Sequence, residues 1–169
     1  INLENIRSYQ NQEITFPNGS VLLSGEVGSG KSSILLALDF ALFGLTSGTL
    51  SGSALLRNGT NKGKVEATIE LDDRIITIGR NLKRTSDSVN QDTGYLIING
   101  EREDLSPVEL KERILTLIGY PKELLTKSKG LIYRYTVYTP QEEMKYILLS
   151  EKEHRLEILR KVFGIDKYK

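Results

Sequence analysis

The sequence has no cysteine, no tryptophan, one methionine and one histidine, His154. Without cysteine there is no disulfide scaffold, no thiolate metal site and no cysteine nucleophile; the absence also fits an intracellular protein. A single histidine leaves too little for a histidine-based metal site or a Ser-His-Asp triad. Neither sign of charge dominates: 23 Lys and Arg stand against 22 Asp and Glu, so net charge points to no partner. No apolar run reaches the ~18–20 residues that cross a bilayer. The longest, residues 34–45, is broken by Asp39 and Gly44. No signal peptide precedes the first strands, and an initiator Met is expected upstream of Ile1. A chain of 169 residues is long enough for one domain with a core.

Periodicity divides the chain. Residues 1–16 read as short strands ending in a Pro17-Asn18-Gly19 turn, and Val21-Leu22-Leu23 reads as a buried strand. Residues 33–43 are apolar nearly all round, so a helix there is buried on most sides, and Gly44 fits its end. Residues 46–61 read mostly as loop. Val65, Ala67, Ile69 and Leu71 alternate with polar residues, a half-buried strand that Asp72-Asp73 turns back into 74–78. Residues 82–93 are polar and read as a mobile segment. A strand over 95–98 closes on Asn99-Gly100, a hairpin signal. Ser106-Pro107-Val108-Glu109 is a capping box with Pro at the first helical position, opening a helix that runs to Ile118 and stops at Gly119. Further helices are expected from Pro121, over 141–149 and over 152–163, with Gly164 as a break. The order describes an α/β head whose helices gather toward the C-terminus.

Gly25-Glu26-Val27-Gly28-Ser29-Gly30-Lys31-Ser32 matches G-x-x-x-x-G-K-[ST] in full. Its glycines permit torsions that turn successive N–H groups inward as an anion nest, and the following helix adds its positive end. Lys31 neutralises the β and γ phosphates of ATP, and the Ser32 hydroxyl is a ligand for Mg²⁺. The alternative is a structural Gly-rich turn; the apolar run before it and the apolar helix after it favour the P-loop. A hydrolytic site also needs a second carboxylate for Mg²⁺ and a group that orients water. Leu35-Leu36-Ala37-Leu38-Asp39 has the pattern of the former but lies inside the P-loop helix. Leu50-Ser51-Gly52-Ser53 imitates an ABC signature too soon after the P-loop and reads as loop. Asn61-Lys62 lacks the Asp of a guanine-specifying N-K-x-D. The chain thus reads as half of a composite ATPase site.

Several separated segments resemble one family in the same order. Ile6-Arg7-Ser8-Tyr9 is similar to an F-R-S-H opening, residues 25–33 to G-x-N-G-S-G-K-S-S, and Ala41-Leu42-Phe43-Gly44 to the end of the P-loop helix. Leu56-Arg57-Asn58-Gly59 and the strand after it resemble the next loop and hairpin. Val137-Tyr138-Thr139-Pro140-Gln141 resembles a Q-loop, and residues 153–169 the entry to a coiled coil. Together these resemble the N-terminal lobe of the ABC-type ATPase head of SMC-like DNA-repair ATPases, the Rad-fifty family of archaea, which implies a P-loop NTPase fold with a mixed sheet, β-hairpins and helices leading to a coiled coil. The resemblance implies a C-terminal lobe beyond a coiled coil that starts near residue 152, a second head that sandwiches two ATP molecules, DNA, and an Mre-eleven-type nuclease as partners. It implies a cytoplasmic, nucleoid-associated protein with no membrane contact. It assigns Gln141 to Mg²⁺ and the attacking water, beside catalytic Lys31. Arg7 and Ser8 fall near the nucleotide, and Leu56, Arg57 and Asn58 near adenine or ribose. The loop residues Gly25, Val27, Gly28, Ser29, Gly30, Ser32 and Ser33 hold the phosphates. Val27 replaces the usual Asn, and Pro140-Gln141-Glu142-Glu143 replaces x-Q-G. These departures leave room for an SMC-like chromosome-organising ATPase without a nuclease, or for a nucleotide-binding or DNA-tethering module that does not hydrolyse.

Other features carry an ordinary reading beside a functional one. Arg80, Lys83 and Arg84 read as a solvated hairpin, with DNA phosphate contact as the alternative. Tyr133, Tyr135 and Tyr138 read as one packed strand edge rather than a stacking platform. His154 and the charges from Lys145 to Lys169 read as a solvated helix face.

Overall fold

The protein is seen in a computed structural model that describes residues 1–45, 50–71, 73–119 and 148–162. The chain divides into two compact units, Ile1–Gly119 and Tyr120–Lys169. The first contains β1 (Asn2–Ile6), β2 (Tyr9–Glu13), α1 (Lys31–Phe43), the short α2 (Gly52–Leu55), β3 (Lys62–Leu71), β4 (Arg74–Arg84), β5 (Val89–Ile98), β6 (Glu101–Leu105) and α3 (Pro107–Leu117). The second contains α4 (Lys152–Val162), on which His154 is exposed.

The strands form one six-stranded sheet in the order β2-β1-β3-β4-β5-β6; a mixed sheet is expected of the head, but among the described residues every junction is antiparallel, each strand pairing with a neighbour that runs back beside it. Local chemistry sets three of its turns. Arg7 and Ser8 are the two residues between paired Ile6 and Tyr9. Leu71 pairs with Arg74. Asn99 (φ 51°) and Gly100 (φ 92°) both lie in the left-handed region, as the favoured two-residue hairpin turn requires. The capping box is complete: the Ser106 side chain accepts from the Glu109 N–H and the Glu109 side chain accepts from the Ser106 N–H. Gly119 (φ 73°) follows the end of α3.

Period two sorts the sheet into a dry face and a wet one. On the dry face Leu3, Ile6, Val65, Ala67, Leu82 and Val89 pack against Ala37, Phe40 and Ala41 of α1 and Leu55 of α2. Ile76, Ile78 and Leu96 pack against Leu110 and Ile114 of α3. Residues 33–45 of α1 and its end include no exposed side chain.

Four further expectations need correction. Val21-Leu22-Leu23 is not a strand; Val21 is 43% and Leu22 88% exposed. Both sides of β1 are already taken by β2 and β3, and no described strand pairs with the segment, so extension would leave its backbone groups with water alone. The loop expected over 46–61 contains α2, whose N–H of Ala54 is capped by the Ser51 side chain at 3.2 Å. Most of the polar segment over 82–93 belongs to the ends of β4 and β5, with Leu82 opposite Gln91 and Arg84 opposite Val89 and residues 85–88 turning between them. Its polar side chains at Lys83, Asn90 and Asp92 are exposed, as on a solvent-facing side of the sheet. Arg80 is neither solvated nor at the surface. It is 0% exposed, and its Nε donates to the Ala41 carbonyl at 2.7 Å and its Nη2 to that of Leu42 at 3.2 Å. Burial pushes the guanidinium down to about 10, which leaves it charged at neutral pH at the negative end of α1. Gln91 joins it there and accepts from the Leu45 N–H at 3.2 Å.

The wet face carries its own packing. The Tyr95 ring lies over Gly79, where an added Cβ would come within 2.2 Å of the ring. Arg102 stacks on the same ring at 4.0 Å. The Tyr95 hydroxyl donates to Glu66, which also pairs with Lys64 at 3.0 Å. These partners, Tyr95 first, hold the Glu66 carboxyl below its ordinary value, and partial burial opposes them.

Two outcomes follow. Gly79→Ala should destabilise the domain by about 1–3 kcal/mol in denaturant unfolding, and Tyr95→Ala should remove most of that difference. Glu66 has a depressed folded pKa, so its contribution is complete above the unfolded value of 4.5 and is lost as pH falls through the lower folded value. Glu66→Gln should therefore flatten the loss of stability below about pH 4.5, read by circular dichroism against pH.

Candidate phosphate-binding site

The loop before α1 is built from positive torsions. Gly25 (φ 151°), Gly28 (φ 86°) and Gly30 (φ 95°) all adopt values that disfavour a side chain. Gly30 is the N-cap of α1 and no side chain caps the helix. The first turn of α1 therefore presents uncapped N–H groups, the ordinary seat of an anion. Within the loop the Ser29 N–H meets the Glu26 carbonyl at 3.2 Å, and the Ser33 N–H meets the Gly30 carbonyl at 2.9 Å. Lys31 folds back over the loop. Its Nζ donates to the Gly25 and Glu26 carbonyls, each at 2.7 Å, and to the Ser29 hydroxyl at 3.1 Å. The ammonium is thus fixed at the mouth of the loop by groups that hold position without neutralising its charge.

A cleft of about 320 Å³ opens there. The β1–β2 turn forms one wall through Arg7 and Ser8, and the loop and first turn of α1 form the other through Gly28, Gly30 and Lys31 to Ser33. The sequence separates these walls by some twenty residues; the fold brings them together. Val27 is at the loop tip and fully exposed. Gly25 and Ser29 are in the loop beside Lys31. A second hollow shares Arg7 with the first and is bordered by Ser53, Ala54, Arg57 and Asn58. Leu56 borders it as well, but its side chain is 2% exposed and belongs to the core. Gln141 and its Q-loop, the three tyrosines at 133–138 and residues 163–169 lie outside the described residues.

Sequence reasoning passed over Tyr9. A Cβ on Gly30 would meet its hydroxyl at 2.8 Å and the Ser8 hydroxyl at 3.1 Å. Gly30 is therefore required twice, by its torsion and by the close approach of the β1–β2 hairpin. The available signal was the four-residue Ile6-Arg7-Ser8-Tyr9 segment, but only the pairing of Ile6 with Tyr9 aims it at the loop. Asp39 lies within α1 and is buried, so the strand-end pattern around it does not describe a strand.

A domain-family profile described as AAA domain matches residues 1–169. The chain is 28% identical over 168 residues to the DNA double-strand break repair Rad50 ATPase of Methanococcus maripaludis, covering 99% of this chain and 16% of that protein. It is 30% identical over 168 residues to the protein of the same name from Archaeoglobus fulgidus, covering 99% and 17%. It is 25% identical over 167 residues to Arcadin-4 of Pyrobaculum calidifontis, covering 98% and 20%. The chain spans a fifth or less of the length of these relatives. With a mixed α/β fold, an uncapped helix behind a glycine loop and a profile match along its whole length, the chain belongs to the AAA domain family and corresponds to the N-terminal region of archaeal Rad50 ATPases.

Proposed function

We propose that this chain is the ATP-binding N-terminal lobe of an ABC-type, SMC-like ATPase head that works in DNA double-strand-break repair. The observation that carries the reading is the pairing of the uncapped α1 N-terminus with a fixed Lys31 ammonium at one cleft. A triphosphate matches that arrangement: the loop N–H groups and helix end take phosphate oxygens, and Lys31 offsets the charge that develops on the transferred phosphoryl group. The neighbouring hollow beside Ser53, Ala54 and Asn58 suits the nucleoside.

Mg²⁺ fits the donor set. The Ser32 side chain is exposed in the first turn of α1, beside Lys31, and offers one hard oxygen. The Ser32 hydroxyl would hold a magnesium ion there, and the ion would supply charge neutralisation to the bound phosphates. Ser32 orients the ion, and Gln141 is proposed as the group that reads the metal and the attacking water.

The site is read as half of a whole. The relatives are more than five times as long as the stretch they share with this chain, or about five times in the case of Arcadin-4. The exposed apolar side chains of Val21 and Leu22, just before the loop, suit a face that a second lobe covers. In this reading the C-terminal lobe, a second head, DNA and a nuclease of the Mre-eleven type are the partners, the helix from Lys152 leads into a coiled coil, and the protein acts at the nucleoid.

Hydrolysis separates the possibilities. ATP turnover is expected from the full-length protein, with Lys31→Ala lowering it by about a hundredfold or more, and little turnover is expected from residues 1–169 alone. Full-rate turnover by residues 1–169 would end the half-site reading. Binding without turnover in the full-length protein, with DNA present, would favour the non-hydrolysing module.

A further inference from the structure

The residue that shapes the cleft wall is Arg57, in a segment far from the P-loop in sequence. Residues 55–57 run alongside residues 5–7. The Arg7 N–H donates to the Leu55 carbonyl at 2.9 Å, the Arg57 N–H donates to the Asn5 carbonyl at 3.0 Å, and Ile6 bridges to Leu56. The Arg57 carbonyl is fixed in turn by the Thr60 hydroxyl at 2.8 Å. From this base the Arg57 side chain reaches the β1–β2 turn. Its Nη1 donates to the Arg7 carbonyl at 3.1 Å and to the Ser8 carbonyl at 2.8 Å.

The turn needs such a clamp. Arg7 has φ 48° at the first of the two turn residues, where hairpins favour glycine. Asn5, one residue before the buried Ile6, has φ 52°. A side chain held there costs local strain, and such strain persists only where the surroundings over-determine it. Arg7 and Ser8 form the wall that faces the P-loop. The hydroxyls of Ser8 and Tyr9 abut Gly30 at the N-terminus of α1.

We propose that Arg57 is a positioning residue: by holding the Arg7 and Ser8 carbonyls it aims the strained β1–β2 turn at the phosphate end of the nucleotide, rather than contacting the nucleoside itself. This rests on the reading of residues 25–32 as the phosphate loop. It replaces the expectation that Arg57 serves adenine or ribose. Its guanidinium has two backbone carbonyls as partners, and both belong to the turn.

The test is binding of ATP and of inorganic tripolyphosphate to full-length protein, in wild type, Arg57→Met and Arg57→Lys. A positioning role acts at the phosphates, so Arg57→Met should weaken both ligands by the same factor, about tenfold for the loss of two charged hydrogen bonds. Arg57→Lys offers a single compact ammonium and should fall between, again equally for both ligands; it carries the comparison if the methionine variant does not fold. Weakening of ATP alone, with tripolyphosphate unchanged, would overturn the proposal in favour of a direct nucleoside contact. No change in either ligand would overturn it as well. Amide exchange at Ser8 and Tyr9 gives a readout independent of nucleotide. It should quicken several-fold in either variant, and unchanged exchange would overturn the clamp. If wild-type protein binds neither ligand, the phosphate-loop reading fails while exchange still decides the clamp.

Discussion

Helix α1 is fixed at its C-terminal end by a group that is not its own and is left open at its N-terminal end. At its start Gly30, in the left-handed region, ends the loop without a side-chain cap and leaves the first N–H groups turned into the cleft. At its finish Arg80, wholly buried in β4, binds the carbonyls of Ala41 and Leu42. A buried guanidinium with helix carbonyls as its acceptors carries a desolvation cost. The helix end returns some of it, because the macrodipole places negative charge there. The consequence is rigidity in one element. A helix anchored to the sheet by its C-terminus presents its N-terminus at a fixed height above the β1–β2 turn, and the geometry of the cleft depends on that height.

The sheet extends this anchoring. The strand that carries Arg80 inward has Gly79 and Asn81 as its neighbours, and its register with β5 shifts between those two positions. The shift falls at Arg80, the residue that grips α1, next to the glycine on which Tyr95 rests. Wet-face packing and helix anchoring are therefore one mechanical unit, built on β4. Arg57 has the corresponding role at the opposite end of α1, where it secures the turn that faces the loop.

What the sequence discloses follows from the range of each interaction. The glycine loop before α1 is legible because its requirements are local: three glycines at fixed spacing, then Lys31 and Ser32 at the helix start. Asn99-Gly100 and the box at Ser106 to Glu109 are legible for the same reason. The extent of β4 and β5 is not, since Asn81, Lys83, Asn90 and Asp92 face water and carry no apolar alternation. Arg80 misleads most, because a charge is read as surface until its acceptors are known, and those acceptors are about forty residues away in the chain. Val21 to Leu23 misleads in the other direction: an apolar run becomes a strand only when another strand pairs with it. Tyr9 and Arg57 sit between these cases, visible as members of short motifs but given their roles only by the β1–β2 turn.

The central claim is that residues 25–32 and the Arg7-Ser8 turn form one phosphate cradle. A crystal structure of the full-length protein with Mg²⁺ and a non-hydrolysable ATP analogue tests it most directly. The account predicts β and γ phosphate oxygens within hydrogen-bond distance of the loop N–H groups and Lys31, with Arg57 still bound to the Arg7 and Ser8 carbonyls. Phosphates seated elsewhere, or a β1–β2 turn that has left the loop while the nucleotide is bound, would contradict it.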